Sequence, residues 1–439
     1  MEIANCDYLF FLSKIGGNMV ETIKQPHIFS HTFIRVILLS GIFLQIGTWV
    51  RNFAVLLYVM EITNNDPYIV SLISVAEFAP IFIFSFIGGT FADRWRPKRT
   101  MVWCDILSAI SVFCVLGTLM FGSWKAIFFV TLFSAILSQF SQPSAMKLFK
   151  QHVPAEQMQA GMAMFQTLVA IFMILGPAIG TMIYQSFGIT ISIGVTGIAF
   201  LLSAAVLYQL PKDQRPEQNH GQTSLLQEME DGLRYVWSKF VLRRLSMCFI
   251  GVGLAVGLIQ PLGIFVVVEQ LGLPKENLQW LFTTTGAAML LGGAVVMTLS
   301  KKIAPQKLLA LGLLSSAFSV CGISLTQSFW IVLIFQFVNG LFFPCIQIGI
   351  NTMILFSSEQ KFVGRVNGVL SPLFSGMMVV TMSLAGVVKE AVSLQASYQI
   401  SGLLFIIAVS VVIPLFKMQL QQQADTSEIV VKQEGGVES

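Results

Sequence analysis

Twelve runs of apolar residues dictate what this chain can become, because each is long enough to cross the roughly 30 Å hydrocarbon core of a bilayer as a helix. Their approximate limits are 33–60, 68–92, 100–121, 125–148, 160–184, 188–210, 246–270, 277–300, 307–326, 329–355, 367–388 and 394–416. Lipid offers backbone N–H and C=O groups no partners, so each run has to close its hydrogen bonds internally, as a helix does. Composition points the same way. Of 439 residues, 55% are hydrophobic and 11% charged, against roughly 25% charged in a soluble domain. The expectation is an all-α integral membrane protein of twelve transmembrane helices, with the lipid bilayer as its solvent. The six cysteines (Cys6, Cys104, Cys114, Cys248, Cys321, Cys345) are scattered, without CxxC spacing or histidine partners, and read as reduced core thiols with no metal. The apolar stretch Cys6–Leu12 is too short for a signal peptide and lacks a basic flank.

Polar segments divide the chain into an N-terminal segment (1–32), a first six-helix bundle (33–210), a linker (211–245), a second six-helix bundle (246–416) and a polar tail (417–439) expected to be disordered. Within the linker, Ser224–Phe240 has the pattern of an amphipathic surface helix, with Leu225, Leu226, Met229, Leu233, Val236 and Trp237 at three- and four-residue spacing. Placing the N-terminus inside puts 22 of the 26 basic residues in cytoplasmic segments and leaves Lys125, Lys275 and Lys389 outside, with Arg51 inside a span. That asymmetry predicts cytoplasmic termini in a multi-pass cell-membrane protein. The halves also repeat. An offset of 208 aligns Asn52 with Gln260, Glu61 with Glu269, Asp93-Arg94 with Lys301-Lys302, Pro97 with Pro305 and Gln139 with Gln347. Two pseudo-symmetric bundles related by duplication enclose a site between them near the midplane.

After the second span the chain reads Gly88-Gly89-Thr-Phe-Ala-Asp93-Arg94-Trp95-Arg96-Pro97-Lys98-Arg99. This resembles the cytoplasmic loop signature of the major facilitator superfamily, Gly-x-x-x-Asp-Arg-x-Gly-Arg-Lys. Gly89, Asp93, Arg94 and Lys98 match it, while Arg96 and Pro97 stand where the family has Gly and Arg. The resemblance implies the major facilitator fold and a conformational gate in which Asp93, with Arg94, Lys98, Arg99 and the nearby Asp105, forms a charge lock made in one state and broken in the other. Gly89 permits the close helix approach this needs. In span 5, Gly176-Pro177-Ala-Ile-Gly180 partly matches the superfamily's antiporter signature, Phe172 and Thr181 replacing its outer glycines, and reads as a helix-packing motif. Glu228-x-x-Asp231-Gly232-Leu233-Arg234-Tyr235-Val236, Val153-Pro154-Ala155-Glu156, Gly364-Arg365-Val366 and Ala76-Glu77-Phe78-Ala79-Pro80 are similar to the macrolide-efflux and enterobactin-exporter branch. That likeness covers roughly residues 30–417 and implies proton-driven export of drugs or siderophores.

Residues 126–146 contain no Lys or Arg, so the basic residue that proton antiporters of the superfamily often carry in span 4 is missing. Proton coupling then needs another charge. Ionisable groups inside a span cost several kcal/mol unless paired or hydrated, which singles out Arg51 and Glu77. Both lie about 13 Å from the outer boundary at ~1.5 Å rise per residue, so the two can pair. A static bridge is the competing reading. A polar arc of Gln45, Thr48, Asn52 and Tyr58 follows the same helix, and Gln139, Gln260, Gln347 and Asn351 supply similar groups in spans 4, 7 and 10. These are the candidates for lining a substrate cavity; helix-to-helix hydrogen bonding is the alternative use.

No nucleotide-binding loop, catalytic triad or metal-spaced histidine cluster is present, which argues against an ATP-driven pump and an enzyme and against any cofactor. The reading is a secondary active transporter, exchanging protons for small amphipathic molecules as a monomer, with no nucleic-acid partner. Uptake by proton symport and a non-transporting sensor or assembly factor are the alternatives.

Overall fold

The computed structural model describes residues 32–121, 124–153, 155–211, 225–299, 303–359 and 362–434; within these, the side chains of 32, 85–94, 120, 150, 155–160, 225–226, 228, 299 and 417–434 are not described. The first half consists of α1 (Thr32–Ile62), α2 (Pro67–Arg94), α3 (Pro97–Met120), α4 (Ala126–His152) and α5 (Ala155–Tyr208). A short helix α6 (Leu225–Ser238) leads into α7 (Phe240–Ile259), α8 (Leu278–Leu299), α9 (Pro305–Leu325), α10 (Phe329–Ser357), α11 (Val363–Ala391) and α12 (Leu394–Glu434).

Among the described residues, eleven helices are long and apolar enough to cross a membrane. One of them is double. In α5 the backbone breaks at Gly188 (φ 72, ψ −176), a conformation open to glycine because it has no Cβ. Both limbs pack on α1, in opposite directions. Leu168 and Trp49-bound Gly180 follow α1 upward from Gly41, while Ser203 and Phe200 run back against Ser40 and Gly47. The limbs before and after Gly188 therefore correspond to spans 160–184 and 188–210.

Helix pairing repeats between the halves. In the first, α1 packs on both limbs of α5, α3 on α5 and α4, and α2 on α4. In the second, α7 packs on α11 and α12, α9 on α12 and α10, and α8 on α10. The halves meet through two further pairs, α2 with α11 and α5 with α8. Large apolar side chains such as Phe129, Met182, Phe318 and Leu403 are exposed, as a lipid-facing surface requires.

Three boundaries differ from expectation. The second bundle begins at Phe240, not 246, because Phe240-Val-Leu extends the apolar helix across Arg243 and Arg244. Span 7 is not continuous: α7 ends at Ile259, Pro261 follows, and a π-turn over Val266–Gln270 completes the run. The tail is not without structure, since α12 continues to Glu434 through a Gln-rich segment that contains no Gly or Pro.

Candidate functional site

The largest core cluster joins both halves at the end of α1 marked by Glu61. There Phe53, Leu57, Met60, Val70 and Tyr184 share one apolar mass with Leu262, Phe265, Leu278 and Leu281. At the opposite end of the first half, Ile34, Ile37, Leu148, Phe149 and Leu207 form a cluster of their own. Several contacts seal the Glu61 end across the halves. Phe53 meets Phe282 edge-on at 5.6 Å. Gly386 of α11 lies so close to Pro67 that an added Cβ would stand 2.6 Å from its carbonyl oxygen. Lys275 Nζ donates to Glu61 Oε2 at 2.9 Å and to the Leu57 carbonyl at 3.0 Å. Tyr184 donates its hydroxyl to the same Glu61 oxygen at 2.9 Å. Nearer mid-depth, Thr283 of α8 donates to the Ile174 carbonyl of α5 at 2.9 Å.

Arg51 and Glu77 sit beneath this seal, within the first half. Arg51 is 5% exposed. Its guanidinium does not reach Glu77 directly. Nε and Nη2 donate to Asn52 Oδ1 at 3.1 and 2.9 Å, and Asn52 Nδ2 donates to Glu77 Oε1 at 2.7 Å. The expected direct pair is therefore a three-residue relay. A carboxamide suits this place because it accepts on one atom and donates on the other. The relay has a chemical consequence. A proton placed on Glu77 removes its negative charge, so the Asn52 N–H is held by a neutral carbonyl in place of a carboxylate and the attraction on Arg51 weakens.

The remaining polar candidates do not all converge. Gln45, Thr48 and Tyr58 are half-buried along α1, and Tyr58 packs against two core clusters. Gln139 is half-buried and donates to Ser138 Oγ at 3.2 Å. Gln260, Gln347 and Asn351 are exposed, the last two one turn apart on α10. Gly176 and Gly180, on either side of Pro177, press α5 onto Trp49 of α1.

The gate residues fare differently. The side chains of Gly89, Asp93 and Arg94 lie outside the described residues, although their backbone belongs to α2. Lys98 donates to the Leu210 carbonyl and lies 5.2 Å from the Tyr208 ring, which ties the start of α3 to the end of α5. Arg99 is exposed. The described partner of Asp105 is not a loop residue. Asp105 is 4% exposed and accepts from Ser203 Oγ at 2.6 Å, and Ser203 in turn bonds Ser40 at 2.9 Å. Two turns into α3, its side chain faces α5 and α1 rather than the charged loop.

Sequence reasoning missed the Glu61, Tyr184 and Lys275 cluster. Two signals were present: Lys275 is one of few basic residues on the sparsely charged side, and the repeat pairs Glu61 with Glu269. Glu269 also finds a cation, accepting from Lys389 Nζ at 2.7 Å.

A family model described as transmembrane secretion effector matches residues 26–434. An uncharacterized MFS-type transporter of Bacillus subtilis, YkuC, is 25% identical over 77% of this chain and 81% of its own length. The multidrug efflux pump Tap of Mycobacterium tuberculosis is 24% identical over 75% of this chain and 80% of its own. Macrolide efflux protein A of Streptococcus pyogenes is 23% identical over 83% and 91%. The crystal structure of the nucleoside transporter NupG superimposes with a TM-score of 0.70 at 12% identity, covering 87% of this chain and 99% of that one, which is a likeness of fold.

Proposed function

The chain belongs to the transmembrane secretion effector family of major facilitator transporters, and from that premise we propose that it exports small amphipathic molecules across the cell membrane in exchange for protons. The observation that carries the coupling is the Arg51–Asn52–Glu77 relay, a carboxylate and a guanidinium held at membrane depth through one carboxamide. Charges at this depth are costly unless paired or hydrated, and so mark binding or coupling sites by default. Relatives named as a multidrug efflux pump and a macrolide efflux protein support export of amphipathic compounds. We assign the lining of a substrate cavity to the polar side chains of α1 and to the exposed Gln347 and Asn351 of α10.

The sealed Glu61 end supports alternating access. With both termini cytoplasmic, as the basic residues favour, this conformation is closed to the outside. Glu77 takes a proton when the site opens outward, slackens its hold on Asn52 and frees Arg51; the proton leaves on the cytoplasmic side as the relay re-forms. The transporter works as a monomer, since each chain holds both bundles.

Cells expressing the wild type, Glu77→Gln or no protein are loaded with a fluorescent amphiphile, with and without a protonophore. The Gln side chain still accepts from Asn52 but does not titrate. Wild-type cells are expected to hold less dye until the protonophore is added, and Glu77→Gln cells to behave as if it were always present. Full gradient-driven export by well-expressed Glu77→Gln protein would remove Glu77 from the mechanism. Greater dye accumulation in wild-type cells than in controls would favour uptake.

A further inference from the structure

Helix α6 carries two apolar faces, and among the described residues only one is packed against the protein. At about 100° per residue, Tyr235, Gly232 and Val236 share a face that docks on the start of α11. An added Cβ at Gly232 would meet the Arg365 carbonyl at 3.1 Å, and Val236 is fully buried. Tyr235 stacks on Phe362, centroids 4.2 Å apart with rings 2° from parallel, and its hydroxyl accepts from the Glu359 N–H at 3.1 Å. Asp231 lies 3.6 Å from Arg365. The adjoining arc carries Met229, Leu233 and Trp237, one turn apart and 38%, 46% and 50% exposed. The polar face opposite holds the exposed Glu230–Arg234 pair.

What covers the open arc follows from where the helix leads. Only Lys239, in extended conformation, separates α6 from α7, whose apolar length is that of a membrane span. The stripe therefore sits at the level where α7 enters the bilayer. The same junction is basic. Lys239 lies 5.8 Å from the Tyr235 ring, and Arg243 and Arg244 lie over the Phe240 ring at 5.9 and 5.2 Å. No acidic residue occurs from Lys239 to Ile259. An apolar stripe beside a cluster of cations is what a helix lying in an anionic headgroup layer presents.

We propose that α6 binds the anionic lipid surface of the leaflet at this end, inserting Met229, Leu233 and Trp237 among the lipids and placing Lys239, Arg243 and Arg244 against headgroup phosphates. Its other face then fixes the entrance of α11. Because α11 also packs on α2 of the opposite half, the lipid grip bears on a helix that bridges both bundles. Anionic lipid thus stabilises the docked position of α11, independently of which compound is carried.

The test uses the full-length protein in nanodiscs of phosphatidylcholine alone or mixed with phosphatidylglycerol. A bimane label at Trp237→Cys, in a background without the native cysteines, is challenged with brominated acyl chains and with aqueous iodide, and amide exchange of 227–238 is followed in the wild type. Expected is quenching by brominated lipid, with slower exchange when phosphatidylglycerol is present. That slowing should be lost in high salt and in the triple variant Lys239→Gln, Arg243→Gln, Arg244→Gln. The salt experiment needs no variant, so misfolding of the triple substitution cannot mask the answer. Quenching by iodide and not by brominated lipid would overturn the insertion. Exchange equal in the two lipids, or a phosphatidylglycerol effect that survives high salt, would overturn the anionic grip.

Discussion

Replacing Gly386 with alanine should open the Glu61 end of the transporter. The new Cβ would lie 2.6 Å from the Pro67 carbonyl oxygen, 2.7 Å from its carbon and 2.7 Å from Tyr68 Cα. All three are backbone atoms at the start of α2, so no side chain can swing aside. The closest approach falls about 0.8 Å short of the 3.4 Å where ordinary contact begins, and overpacking of that kind costs about 1–3 kcal/mol. The strain exists only while α2 and α11 touch here. Alanine's better helix propensity applies to both conformations and cancels. The differential therefore shifts the open-to-closed ratio by about 5–150-fold. Spin labels at Ile62→Cys and Val392→Cys, one in each half and both at exposed positions, report the separation by pulsed electron resonance. The wild type should give a short distance, and Gly386→Ala a second, longer population. Gly368→Ala in the same helix is the control, because a Cβ there meets nothing within 4 Å. An unchanged distribution in Gly386→Ala, or an equal shift in Gly368→Ala, would refute the steric reasoning.

Lys275→Gln should move the same distance distribution in the same direction but less: Glu61 is 63% exposed, and pairs of that kind contribute about 0–1 kcal/mol; high salt should reproduce the effect in the wild type. Gly180→Ala places a Cβ 2.8 Å from the Trp49 carbonyl within one bundle, so it should lower thermal stability in detergent by about 1–3 kcal/mol and leave the label distances alone. Asn52→Ala removes hydrogen bonds to both charged partners, each worth about 1.5–3 kcal/mol; it should reduce folded protein far more than Glu77→Gln, and equal abundance of the two variants would mean the relay is not structural. Asp105→Asn keeps an acceptor for Ser203 and should express normally, a result checked by size-exclusion profile.

Span positions could be read from sequence because lipid enforces them: an apolar run of sufficient length has one way to satisfy its backbone. Even the fold-back at Gly188 was visible, since the apolar run through that point is twice a membrane's thickness. Side-chain geometry was not visible in the same way. Arg51 and Glu77 stood out as charges, but Asn52 as the link between them depends on which way one carboxamide points. Asp105 looked like part of the charged loop because it is near in sequence, whereas the helix turns it inward to Ser203.

The seal at the Glu61 end lies between these extremes, and its origin can be traced to divergence of the repeats. Each half ends its first membrane-crossing segment with a glutamate, Glu61 or Glu269. In the second half, Lys389 at the end of α11 answers it from within the same bundle and sits 4.4 Å from the Phe265 ring. The first half has no lysine at the corresponding end of its α5 limb. Tyr184 is there instead, and it supplies a hydrogen bond but no charge. Glu61 thus keeps an uncompensated carboxylate facing the other bundle, and Lys275 crosses to meet it, with its ammonium 5.8 Å from the Tyr184 ring. One duplicated acid has become an internal clasp in one half and a latch between halves in the other. The latch is weak because its acid is exposed, and under the proposed alternating access weakness suits it: a contact that such a cycle would break and remake has to hold the closed state without trapping it.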